Sequence, residues 1–68
     1  MQIFQKRLKY ERKNAGYTQQ NMATMLGITQ PSYIRYENGT SEPSLETLAM
    51  IADIFDVSVD YLLGRAEI

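Results

Sequence analysis

The chain has 68 residues, no cysteine, no histidine, 44% hydrophobic residues and a formal net charge of −1. A chain of this size forms one domain with a thin stability margin, because it buries only about 60% of the surface its unfolded form exposes. The missing cysteines exclude disulfides and thiolate zinc sites, and the missing histidines remove the commonest metal ligand and acid–base catalyst.

The small net charge hides an asymmetry. Residues 1–40 hold six cations against two anions, and residues 41–68 hold one cation against six anions. Such a split points to a polyanion on one face, or to a plainly solvated basic helix. An overall pI near 5.2 argues against strong nonspecific nucleic-acid binding. The N-terminus shows no apolar signal region, and the longest apolar run, Leu48 to Ala52, is five residues against about twenty for a membrane span. The expectation is a soluble, cytoplasmic chain with no membrane partner.

Apolar residues recur at helical spacing, and no stretch alternates like a strand. The first helix is expected from Gln2 to about Asn14, ended by Gly16; Phe4 and Leu8 share its inner stripe, which Arg12 and Ala15 continue. The second starts at the cap Thr18 and stops at Gly27, with Tyr17 and Met22 spaced as a hydrophobic staple and Ala23 and Leu26 facing inward. Met25, like Met22 and Met50, reads as a packing residue.

The third helix starts at Thr29 and ends at Asn38-Gly39, with Ile28 and Tyr33 repeating the staple. Pro31 falls at its second position, where a missing N–H costs the helix nothing. Proline there directs Thr29 to cap the N–H of Ser32. At about 100° per residue, Tyr33 and Tyr36 lie on the inner side with Thr29. Pro31, Ile34, Arg35 and Asn38 lie opposite, with Gln30 at the edge. Gln and Arg are side chains that can pair with base edges.

The fourth helix starts at Ser44 and runs to about Phe55, with Leu45, Leu48, Ile51, Ala52 and Phe55 as its apolar stripe. The fifth is short, between the cap Ser58 and Gly64, with Val57 and Leu62 as a staple. A small residue at 23, glycine at 27 and apolar residues at 22, 26, 28, 33 and 36 form the pattern of two helices joined by a tight turn.

On these residues the chain resembles the phage-repressor and Cro type helix-turn-helix domain (the XRE family). The segments TQ at 18–19, LGIT at 26–29, YENG at 36–39, PSLETL at 43–48 and VSVDYLLG at 57–64 match in order and spacing, covering about Phe4 to Gly64. The resemblance implies an all-α, five-helix lambda-repressor-like bundle over residues 1–64, with a short tail at 65–68. It implies a sequence-specific regulator of transcription, a repressor by the family's commoner mode. The third helix would lie in the major groove of double-stranded DNA, and the second would cross above the backbone.

The family's base-reading positions fall on Gln30, Pro31, Ser32 and Arg35, with Ile34 beside them. Gln30 suits adenine, Arg35 suits guanine or a phosphate, and Pro31 and Ile34 can only touch a thymine methyl or shape the groove contact. The plain alternatives are an ordinary first-turn Gln30, an exposed aliphatic Ile34, and Arg35 paired with Glu37 or Glu11. Phosphate contacts would come from Thr18, Gln19 and Asn38. Arg12 and Glu37 match a pair that forms a salt bridge in relatives, and Arg12 is also expected to reach a phosphate.

Thr40, Ser41 and Glu42 stand where many relatives carry basic residues, which implies a shallow salt dependence. Relatives bind inverted repeats as two-fold dimers, so a homodimer is expected, its surface around Val59, Leu62 and Ile68. The sequence suggests neither an enzyme, nor a cofactor, nor a metal, nor a small-molecule ligand: it has no glycine-rich phosphate loop and no paired carboxylates at a pocket. An antitoxin or a protein–protein interaction module built on the same fold are the alternatives.

Overall fold

Five capped helices follow one another in the computed structural model, which describes residues 2–68: α1 (Gln2–Ala15), α2 (Gln19–Leu26), α3 (Gln30–Asn38), α4 (Leu45–Phe55) and α5 (Val59–Leu62). No strand occurs among the described residues. Thr18, Thr29, Ser44 and Ser58 each cap a helix by accepting the backbone N–H three residues on, which satisfies one otherwise orphaned donor per helix. Thr18 does more, closing a full capping box with Asn21.

Helix ends are equally local. Gly27 takes φ +71°, and the Ile28 N–H returns to the Ala23 carbonyl at 3.0 Å. Only a residue without a Cβ adopts that left-handed turn freely. Asp56 ends α4 in the same region, at φ 54° and ψ 46°, without glycine's freedom.

The core draws one fully buried large side chain from each helix: Leu8, Met22, Tyr33, Ile51 and Leu62. Full burial of an aliphatic side chain of this size is worth about 1.5–3 kcal/mol. Ala23, also fully buried, lets α2 and α3 approach closely. Tyr17 meets Phe55 with ring centroids 6.5 Å apart.

Several expectations are corrected here. Leu45, assigned to the inner stripe of α4, is 86% exposed. As the first residue of the helix it lies beyond the core's edge, on the rim of an open apolar groove of about 210 Å³ with Phe4, Pro43, Leu48 and Leu63. Ala15 is exposed because the stripe ends with α1. Met25 and Met50 are more than one-third exposed, unlike Met22. Leu62, expected on a dimer surface with Val59 and Ile68, is fully buried in its own chain's core and is not available to a second copy.

The last residues fold back onto α1 and α5. Arg7 donates from Nη1 to the carbonyls of Tyr61 and Ala66, and its guanidinium lies 4.4 Å from the Tyr61 ring centroid. The Tyr61 hydroxyl donates to Glu11 at 2.7 Å, and burial together with that carboxylate pushes the phenol's pKa up. The Ser58 hydroxyl donates to the carbonyl of Ile68.

Candidate nucleic-acid interface

The turn at Gly27 sets α2 and α3 as a packed pair with one face outward. On α3, Pro31, Arg35 and Asn38 are exposed, while Gln30, Ser32 and Ile34 are half-buried. Tyr33 is buried and Tyr36 half-buried on the opposite side, their rings edge to face with centroids 6.3 Å apart. The wheel drawn from the sequence holds for Tyr33, Pro31, Arg35 and Asn38, but Thr29, placed on the inner side, is exposed as the cap, and Ile34, placed outward, is half-buried.

Local chemistry decides what the first turns can offer. In α3 the Ser32 N–H goes to Thr29 Oγ1 at 3.2 Å and the Tyr33 N–H to the Thr29 carbonyl at 3.1 Å. Pro31 has no N–H to give, so the Gln30 N–H alone is left from that turn. In α2 the Thr18 hydroxyl accepts the Asn21 N–H and the Asn21 Oδ1 accepts the Thr18 N–H. The Thr18 hydroxyl acts in the cap only as an acceptor, and its O–H is left to donate. The first-turn backbone donors that take no partner among the described residues are the N–H groups of Gln19 and Gln20.

Behind the face lies a buried ionic cluster. Arg12 donates from Nε to Glu37 Oε2 at 2.6 Å and from Nη2 to Oε1 at 3.2 Å. The Tyr33 hydroxyl donates to Oε2, and Gln19 Nε2 donates to Oε1 at 3.2 Å. Arg12 Nη1 adds a bond to the Tyr17 carbonyl at 3.0 Å. The two charged side chains are 10% and 3% exposed. Burial alone would push the Glu37 carboxyl up; the hydrogen bonds from Arg12, Tyr33 and Gln19 outweigh it and hold the carboxyl below its ordinary range. Glu37's hydrogen bond raises the Arg12 guanidinium against the opposing effect of burial. Burial first, then Glu37, raises the Tyr33 phenol.

Two consequences follow for the site residues read from the sequence. Arg12 and Glu37 stand together, but Arg12 has its nitrogens turned to Glu37 and Tyr17, leaving little of it for a phosphate. Arg35 has neither of the acid partners considered for it: Glu37 is held by Arg12, and Glu11 accepts from Tyr61. Arg35 is the single charged side chain exposed on α2 and α3, and neither helix exposes a carboxylate.

Sequence reading placed Gln19 at the surface and missed its bond to Glu37. It also missed the capping role of Asn21; a threonine followed three residues on by an amide was the available signal. Among the described residues no cluster of three acidic, Cys or His groups could hold a metal ion, and no helix is long and apolar enough to cross a membrane.

A helix-turn-helix family model matches residues 8–62. The uncharacterized HTH-type transcriptional regulator YqaE of Bacillus subtilis (strain 168) is 54% identical over 61 residues, 90% of this chain and 53% of that protein. The HTH-type transcriptional regulator AnsR of the same organism is 49% identical over 61 residues, 90% of this chain and 53% of that protein. The cryptic phage CTXphi transcriptional repressor RstR of Vibrio cholerae is 44% identical over 59 residues, 87% of this chain and 53% of that protein. The chain spans about half the length of these relatives.

Proposed function

Because the chain belongs to the helix-turn-helix family, we propose that it is a cytoplasmic, sequence-specific DNA-binding regulator of transcription acting as a repressor. The observation that carries this reading is the outward face of α2 and α3: an unpaired Arg35, hydrogen-bonding Gln30 and Ser32, and no exposed carboxylate. An acidic side chain there would meet the phosphates of any duplex. The relatives named above as transcriptional regulators and as a repressor support the same reading.

In this reading α3 enters the major groove and α2 crosses the backbone. Arg35 pairs with guanine O6 and N7, and Gln30 with adenine N6 and N7. Ser32 adds a hydroxyl, while Pro31 and Ile34 give apolar contact with thymine methyls. The N–H groups of Gln19 and Gln20, the Thr18 hydroxyl, the Gln19 amide and Asn38 take phosphates. Arg12 serves mainly through Glu37. Few of these groups are charged, so affinity falls gently with salt. One domain of this size makes few contacts, and two copies on an inverted repeat about one helical turn apart supply the rest.

Selection from a random duplex pool at near-physiological salt tests the proposal. The expected result is enrichment of an inverted repeat, with Gln30→Ala and Arg35→Ala each weakening binding about tenfold or more. Failure to enrich any sequence, repeated after fusion to a dimeric partner, would refute it and favour a protein-interaction module.

A further inference from the structure

The buried carboxylate of Glu37 touches a residue of the DNA-facing surface, and that contact has a direction. Gln19 presents an amide whose two ends have nearly the same shape; which end faces which way is set by its neighbours. Its neighbour is Glu37 Oε1 at 3.2 Å. An ionised carboxylate only accepts hydrogen bonds, so an amide oxygen turned toward it is repelled and an amide nitrogen is held. Arg12, Tyr33 and Gln19 together give Glu37 four hydrogen bonds, which keep it ionised and in place.

We propose that Glu37 is a positioning residue for the DNA-backbone contact, fixing the Gln19 side chain as a hydrogen-bond donor rather than an acceptor. The proposal rests on the DNA-binding reading given above. One Nε2 hydrogen is spent on Glu37 and the other remains for a phosphate oxygen, which can only accept. Asn21 is fixed in the same sense, since its Oδ1 accepts the Thr18 N–H at 2.9 Å and its nitrogen is left over. The first turn of α2 is thereby set with donors: the Gln19 and Gln20 N–H groups and two amide nitrogens. Glu37 belongs to α3, two residues beyond Arg35. One side chain therefore links the group that grips the backbone to the helix that reads the bases. Arg12 neutralises its charge, so it does this without repelling the duplex.

The test is a double-mutant cycle on the selected duplex, with wild type, Gln19→Ala, Glu37→Gln and the double variant each assayed well below its own melting temperature. Gln19→Ala is expected to weaken binding about tenfold in the wild-type background and to add no further loss in the Glu37→Gln background. An equal loss in both backgrounds overturns the proposal, because Gln19 would then act without Glu37. So does no loss in a wild-type background that binds DNA. Absence of duplex binding by the wild type removes the DNA-binding reading itself and the proposal with it.

Should Glu37→Gln not fold, the side-chain amide NMR signals of Gln19 in the wild type decide the matter. One Nε2 proton is expected to exchange slowly in the free protein, and the other to move when duplex is added. Two protons that both exchange with solvent as fast as those of an exposed glutamine, such as Gln2, would overturn the proposal.

Discussion

Arg12→Ala is the substitution whose effect the structure defines most sharply. It removes two hydrogen bonds to Glu37 and one to the Tyr17 carbonyl, and it leaves a carboxylate that is 3% exposed with only Tyr33 and Gln19 as partners. Removing one partner of a buried pair costs about 3–5 kcal/mol, because the remaining charge stays desolvated. A domain of this length has about 3–10 kcal/mol of stability in total, so the variant should lose a third or more of it. Far-UV circular dichroism on heating should show a midpoint lower by about 12–40 °C, from about 3–5 kcal/mol at about 4–8 °C per kcal/mol for a small domain.

The pH dependence has a definite sign. Glu37's carboxyl sits below its ordinary value of 4.5 in the folded chain, so its contribution to stability is present above that range and lost as pH falls below it. In Arg12→Ala burial is no longer outweighed by the guanidinium, the carboxyl rises, and the acid limb of the stability curve moves to higher pH. Replacing both partners, as in Arg12→Met with Glu37→Met, should recover part of the loss, since no charge is left stranded. A midpoint within about 4 °C of wild type, with the acid limb unmoved, would refute the account of a buried ionic cluster.

Three further outcomes follow from burial and backbone geometry. Leu62→Ala should cost about 2–5 kcal/mol whereas Leu45→Ser, at a position 86% exposed, should stay within about 0.5 kcal/mol; urea denaturation separates them. Gly39→Ala places a Cβ at φ +83° and against the Gln5 side chain. It should cost about 1–2 kcal/mol from the left-handed backbone alone, read as a lower denaturation midpoint. Asp56→Gly should raise that midpoint slightly, by up to about 1 kcal/mol, because glycine relieves the left-handed strain at φ 54° and removes an anion from a helix C-terminus.

The helix boundaries were legible because their determinants are local. Each of Thr18, Thr29, Ser44 and Ser58 caps by reaching three residues along its own segment, and such signals need no knowledge of the rest of the fold. The outward face of α3 was legible from the position of its tyrosines. Leu45 was not, because periodicity says which side of a helix is apolar but not where the opposing elements stop. Nor was the fully buried setting of Glu37: a charged residue reads as solvent-facing, and only the resemblance paired it with Arg12. The Gln19 bond was hidden for a related reason, since it joins residues 18 apart in the chain whose side chains meet only after α2 and α3 have packed.

Arg7 bears on the order in which the molecule assembles. The four capped helices after α1 carry their own start signals, and turns of this kind form on the microsecond scale. The grip of Arg7 on Tyr61 and Ala66 spans 54 and 59 residues of chain, so it has nothing to hold until α5 has docked. Its formation belongs at the end of folding, after the loop-closure entropy has already been met by the core. What forms last on a surface is the first to open: the Arg65 amide, bonded to the Asp60 carbonyl at 2.8 Å, should exchange with solvent ahead of the amide of Leu62.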